Sequence, residues 1–218
     1  MIIEHASVNW KNYIPKKVKT LVLGSFNPNN PLNNTDYFYG RSSNYFWIVI
    51  ADILEFNEDY FCGNYERKVE VMEKYGFCFL DLISSISVNG INENHEYNFK
   101  NDKIFKEYSD GVLFTSNTNF RGHNINVQRI YNIEILNFIN AHYPKRIIHT
   151  LGNTRINNNF HSKPVELQNF INQILAISEQ SNAIFNPISY SPSGRAVRVG
   201  GINYYQNLKN WLQDNLEL

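Results

Sequence analysis

The chain has 218 residues, with 20 basic Lys and Arg balanced by 20 acidic Asp and Glu, and 15% of its residues are aromatic. That length suits one domain with a sizeable core, and the zero net charge argues against a generally basic nucleic-acid binder while leaving room for a local basic patch. Two cysteines, Cys62 and Cys78, form no CxxC pair and fall short of the four ligands of a structural zinc or iron–sulfur cluster, which points to a reducing compartment.

The first residues, MIIEHASVNWKNY, carry Glu4, His5 and Lys11 and no long apolar core, so no signal peptide is expected. No stretch approaches the roughly 20 apolar residues of a membrane span, and a cytoplasmic protein without a membrane partner is expected. VKTLVLG (18–24) is β-branched and apolar and reads as a buried strand. A long Asn- and Pro-rich loop follows. Residues 44–56, NYFWIVIADILEF, are apolar at almost every position and read as a buried helix. Tyr65 to Tyr75 is a second, amphipathic helix with Val69, Met72 and Tyr75 on one face.

GFCFLDLISS (76–85) reads as a second apolar strand or a strand and turn. NDKIFKEYS (101–109) predicts a short helix capped by Asn101 or Asp102. Residues 111–127 read as a hairpin or an inserted loop, and 128–142 as a helix carrying Ile130, Ile133, Ile135, Leu136 and Ile139. PKRIIHTLG (144–152) predicts a third strand, 164–178 a helix with Pro164 in its first turn, and NAIFNPIS (182–189) a fourth strand. YSPSGRAVRVGG (190–201) reads as a loop, and 202–216 as a closing amphipathic helix. No repeat or linker interrupts this order, so a single domain over 1–218 is expected. Alternating strands and helices predict an α/β fold with a mainly parallel sheet. Ligands of such sheets bind outside the carboxyl ends of the strands, here GSFNPNN, DLISS, LGNTR and SYSPSGRA.

Those segments carry a resemblance. GSFNP followed by FYGRSSNYFW, then GFCFLDLIS, LGNTR and SPSGRA, resembles the uracil-DNA glycosylase superfamily in order and spacing over residues 18 to 212. FYGRSSNYFW is similar to the F-x-H-P-x-N-x-F-W run of the mismatch-specific and hypoxanthine-DNA glycosylase branches. SPSGRA is similar to the Pro-Ser-Gly-Leu-Ser wedge of the mismatch-specific branch. The chain departs from the pattern at three places: two residues separate Gly24 from Asn27, Arg41-Ser42 stands for His-Pro, and Tyr190-Ser191 stands before Pro192 where His-Pro often opens the last motif.

The resemblance implies a three-layer α/β/α domain around a four-stranded sheet. It implies a monomeric, cofactor-free DNA glycosylase that hydrolyses the N-glycosidic bond of a deaminated base flipped from DNA. The partner is then DNA carrying a damaged or mismatched base. Asn27 and Asn44 are the catalytic candidates. Either amide could hold a water below the sugar, although an amide is no base, and cleavage through an oxocarbenium-like transition state tolerates that. Asn27 reads equally as a turn former before Pro28, and Asn44 as the cap of the helix beginning at Tyr45. Asp36 and Asp81, the nearest carboxylates, read as turn or capping residues.

Gly24, Ser25, Phe26, Phe38 and Tyr39 are the expected base-binding residues. Phe38 and Tyr39 would stack on a flipped ring, and the N–H groups of Ser25 and Phe26 would meet a base carbonyl. Both aromatic rings read equally as core packing. Arg41, Gly152, Asn153, Ser191, Ser193, Gly194, Arg195 and Arg198 are the expected DNA contacts, with Arg195 at the wedge position. No metal is expected, since the histidines at 95, 123, 142, 149 and 161 lack ligand spacing. Two other readings stay open: a non-catalytic or repurposed member of the fold that binds a nucleobase, nucleotide or damaged DNA, and a generic α/β enzyme acting on a small nucleoside.

Overall fold

A computed structural model describes residues 2–9, 12–29, 36–90, 117–120, 123–152 and 165–218. In chain order the elements are β1 (Ile2–Glu4), β2 (Thr20–Gly24), α1 (Phe46–Ile53), α2 (Tyr65–Tyr75), β3 (Phe77–Asp81), β4 (Ile83–Asn89), β5 (Asn117–Phe120), β6 (His123–Tyr131), α3 (Glu134–His142), β7 (Arg146–His149), α4 (Val165–Gln180), β8 (Ile184–Phe185) and α5 (Gly194–Leu216).

The four strands expected from the sequence form one parallel sheet in the order β3-β2-β7-β8. β2 lies inside it with every residue buried, which is why TLVLG carries no polar alternation. Its register sets Leu21 between Cys78 and Ile147, and Gly24 beside Asp81. Helix α2 ends where its sequence says it must. Asn64 accepts the Arg67 N–H at 3.0 Å as its cap, and Gly76 takes the left-handed turn (φ 75°) that delivers the chain into β3. Helix α1 packs against α5, and α3 against α4.

A second sheet was not anticipated. It is antiparallel, in the order β1-β4-β6-β5. Only Leu82 separates β3 from β4, so GFCFLDLISS is the joint at which the chain leaves one sheet and enters the other. The helix expected over 128–142 is therefore two elements. Residues 128–131 complete β6, where Ile125 and Val127 alternate inward, and only Glu134–His142 is helical. The helical reading grouped Ile130 and Ile133 with Ile135, Leu136 and Ile139 on one helix, yet they are 56% and 64% exposed. Of the two readings of 111–127, its described part is a hairpin strand paired with β6. The helix expected at 101–109 lies outside the described residues.

Two further boundaries differ. The strand expected over 182–189 pairs only at Ile184–Phe185. The loop expected over 190–201 turns helical at Gly194, because Ser193 caps it by accepting the Ala196 N–H at 3.3 Å. Gly201 (φ 63°, ψ −158°) then breaks α5. The N-terminal strand also has two edges in use. One pairs with β4, and the other reaches the loop after β2: Ala6 N–H donates to the Asn27 carbonyl at 2.6 Å and Asn29 N–H to the Glu4 carbonyl at 2.7 Å. Among the described residues no helix is long and apolar enough to cross a membrane.

Candidate functional site

From β2 the chain moves to β3 on one side, and later to β7 on the other. The crevice of such a sheet lies where the order reverses, outside the ends of β2 and β7. Three loops gather there. Asn44 forms an antiparallel bridge with Ser193, and Tyr45 N–H donates to the Pro192 carbonyl at 2.8 Å. Gly194 lies so close to the Ser43 carbonyl that no Cβ fits between them. A Cβ on Gly152, which has φ 80°, would stand 3.9 Å from the Ser191 Cβ. Tyr204 holds Ser191 in place: its hydroxyl accepts the Ser191 N–H at 2.8 Å and donates to the Ser191 carbonyl at 3.1 Å. Burial raises the Tyr204 phenol pKa, so it stays protonated.

The aromatic residues expected to receive a base are packed. Phe38 is buried and stacked on Phe79 (5.4 Å, 22°), with the His5 ring 5.7 Å away and its carbonyl accepting the Trp47 indole N–H at 2.7 Å. Phe26 is buried edge-on against His5. Tyr39 has φ 56°, stacks on Phe46 at 4.8 Å and shares a 2.7 Å hydrogen bond with the Thr150 hydroxyl. Its phenol therefore crosses the crevice from the loop to the end of β7. The Asn44 Oδ1 accepts the Phe46 N–H at 2.9 Å in a turn just before α1, whose N-cap is Tyr45, so this carbonyl is spent on the backbone rather than capping the helix as expected. Asn27 is half-buried, held through its carbonyl by Ala6. The Ser25 carbonyl accepts the Ile83 N–H at 3.1 Å, extending the β2–β3 pairing one step beyond Gly24.

At the centre lies a pair of residues that the sequence alone did not bring forward. Asp81, at the carboxyl end of β3, is buried, and its Oδ2 accepts a 2.7 Å hydrogen bond from His5 Nε2. The Nδ1 of the same ring accepts the Ser7 N–H at 3.0 Å, so it carries no proton. The imidazole is thus the neutral Nε2–H tautomer facing a carboxylate. The other oxygen, Oδ1, lies over Gly24. A Cβ on Gly24 would collide with it and stand 2.8 Å from the Tyr39 hydroxyl. Gly24 is needed here for the space above it, since its φ is ordinary. Sequence reading weighed Asp81 as a turn or cap and gave His5 no role. The one usable signal was the register, since an Asp ending an apolar strand faces the Gly that ends its neighbour.

The rim is basic and partly apolar. Arg41, Arg195 and Arg198 are exposed. The Arg198 guanidinium folds back towards Gly194. Beside them Val199 and Ile202 are 82% and 77% exposed, where the break at Gly201 turns α5. Asn153 lies outside the described residues. Asp36 pairs with Lys68, whose ammonium is buried, and so anchors the loop that carries Tyr37 to Asn44. Among the described residues no group of three or more His, Cys, Asp or Glu could hold a metal. The chain matches no protein-family model, and neither curated proteins nor solved structures offer a significant match.

Proposed function

We propose that this protein is a DNA glycosylase that hydrolyses the N-glycosidic bond of a deaminated base flipped from DNA. The observation that carries the reading is the Asn44–Ser193 bridge. It seats the FYGRSSNYFW segment against SPSGRA, over the carboxyl ends of β2 and β7 where an α/β sheet binds its ligand. Two helix pairs, α1 with α5 and α3 with α4, suit a three-layer α/β/α domain of the uracil-DNA glycosylase type. Exposed Val199 and Ile202, just after Arg195 and Arg198, have the chemistry of a side-chain wedge that enters a base step while its neighbours meet phosphates. The reading implies a cytoplasmic monomer that needs DNA and no cofactor.

The test is direct. Duplexes carrying uracil, hypoxanthine or xanthine are incubated with the protein and treated with alkali. Strand scission at one or more of these bases is the expected result, and intact strands for all three overturn the reading.

The second reading is a repurposed fold that binds a nucleobase, nucleotide or damaged DNA without cleaving it. The packing of Phe38 on Phe79 favours it, because that ring face is already taken. It predicts intact strands together with salt-dependent binding to the duplex.

A further inference from the structure

Resting on the glycosylase reading, we infer that Asp81 is the carboxylate that activates the attacking water, and that His5 is the residue that positions it. Neither Asn27 nor Asn44 can take a proton, and the Asn44 carbonyl already accepts the Phe46 N–H. Asp81 can. It stands at the carboxyl end of β3, beside Gly24, the last residue of β2, whose end opens on the crevice where the ligand of such a sheet sits.

The two oxygens of this carboxylate are unequal. Oδ2 is held by His5 Nε2–H at 2.7 Å. Among the described residues Oδ1 takes part in no hydrogen bond, and it lies over the Cα of Gly24 with the Tyr39 hydroxyl close by. Most buried side-chain oxygens that only hold structure find a partner. One bound and one open oxygen is what a positioned base requires: fixed orientation on one side and a lone pair on the other. The neighbouring residues fix that arrangement. Gly24 has no Cβ, which leaves the space that Oδ1 itself occupies. Ser7 N–H occupies His5 Nδ1, so the ring must present its proton to Asp81. The Tyr39 hydroxyl is tied to Thr150 at the far wall.

In the step this supports, a water hydrogen-bonded to Oδ1 adds its oxygen to C1′ of the flipped nucleotide. The C1′–N bond breaks and its electron pair leaves with the base. Oδ1 takes one proton from the water, and the departing base takes one from solvent, to which Asp81 later returns its own. The products are the free base and an abasic sugar. The negative charge of Asp81 also lies near the positive charge that develops on the sugar.

The experiment uses the full chain, whichever deaminated duplex the wild type cleaves, and single-turnover rates. Asp81→Asn keeps the shape and removes the base. It should lower the rate by roughly 10²–10⁴-fold while DNA binding holds. Asp81→Ala should fall as far and recover in part, saturably, when formate is added, a response that loss of structure does not give. His5→Phe should slow cleavage, and His5→Gln, which can still donate to Oδ2, should restore most of the rate at unchanged DNA affinity. A wild type that cleaves no base removes the glycosylase reading and this inference with it. A wild type that cleaves, alongside a folded Asp81→Asn with an undiminished rate, removes the inference alone.

Discussion

Asn44 and Ser193, far apart in sequence, face each other in a single antiparallel bridge, and this one joint holds two of the three loops around the crevice. Its tightness lies in the next residue, because Gly194 sits against the Ser43 carbonyl without room for a methyl. Gly194 is also the first residue of α5, where Ala would ordinarily be the better helix former by about 1 kcal/mol. The steric term should win. Gly194→Ala is expected to lower stability by about 1–3 kcal/mol, read by urea denaturation, and a gain in stability would show that the joint yields freely.

Phe38 discriminates between a core residue and a ring kept for a base. It is 3% exposed and stacked on Phe79. Phe38→Ala should cost about 3–5 kcal/mol in a denaturant melt. A ring held out for a ligand would cost far less and would change base binding instead.

The Asp36–Lys68 pair is lopsided, with side-chain exposures of 24% and 1%. Removing the acid strands a buried ammonium, whereas removing the base leaves a carboxylate that water can still reach. Asp36→Asn should therefore destabilise more than Lys68→Met, towards the lower end of the roughly 3–5 kcal/mol seen when one partner of a buried pair is lost. Equal effects in parallel melts would contradict the asymmetry.

His149 ends β7 fully buried, with no well-aligned hydrogen bond to either ring nitrogen and only the Pro187 backbone near enough to interact with the ring. Burial pulls its pKa down from 6.5 to about 4, and the backbone of Pro187 offsets only part of this. The unfolded chain gains the proton as pH falls through about 6.5, and the folded chain only near 4. Stability from this group is thus full above 6.5, declines between 6.5 and 4, and amounts to about 3 kcal/mol. Urea midpoints from pH 7 to 4.5 should fall less steeply in His149→Phe than in the wild type. Parallel slopes would mean that the ring is protonated in the folded protein.

The rim arginines make a separable prediction about DNA. Arg41, Arg195 and Arg198 are exposed, and replacing any one with Ala should weaken duplex binding and reduce the salt slope by about one. A variant with an unchanged slope places that arginine away from the phosphates.

Most of the parallel sheet was legible because β2, β3 and β7 are short, largely buried apolar runs next to Gly or Lys, whereas β8 is short and partly exposed. TLVLG and RIIH leave little choice. The antiparallel sheet was not, since its strands mix Asn, Ser and Ile and depend on partners remote in the chain. Ile2–Glu4 means nothing until Ser85–Ser87 lies beside it. The site divides in the same way. The converging loops are local motifs and could be read. The His5–Asp81 contact joins residues 76 positions apart, and no local pattern announces it. The role of Phe38 was ambiguous for a different reason: an aromatic residue in a loop looks the same whether it packs inward on Phe79 or outward on a ligand.

The placement of His5 has a kinetic corollary. The segment that carries it is pinned between β4 and the loop after β2. It is made before β4, yet it cannot settle until residues up to Ser87 have been made and β4 lies antiparallel beside it. Such non-local pairings form late because loop-closure entropy must be met before the contacts form. The helices, whose hydrogen bonds are local, should therefore form ahead of the His5–Asp81 contact, and during refolding the protein should regain helical signal before that contact closes.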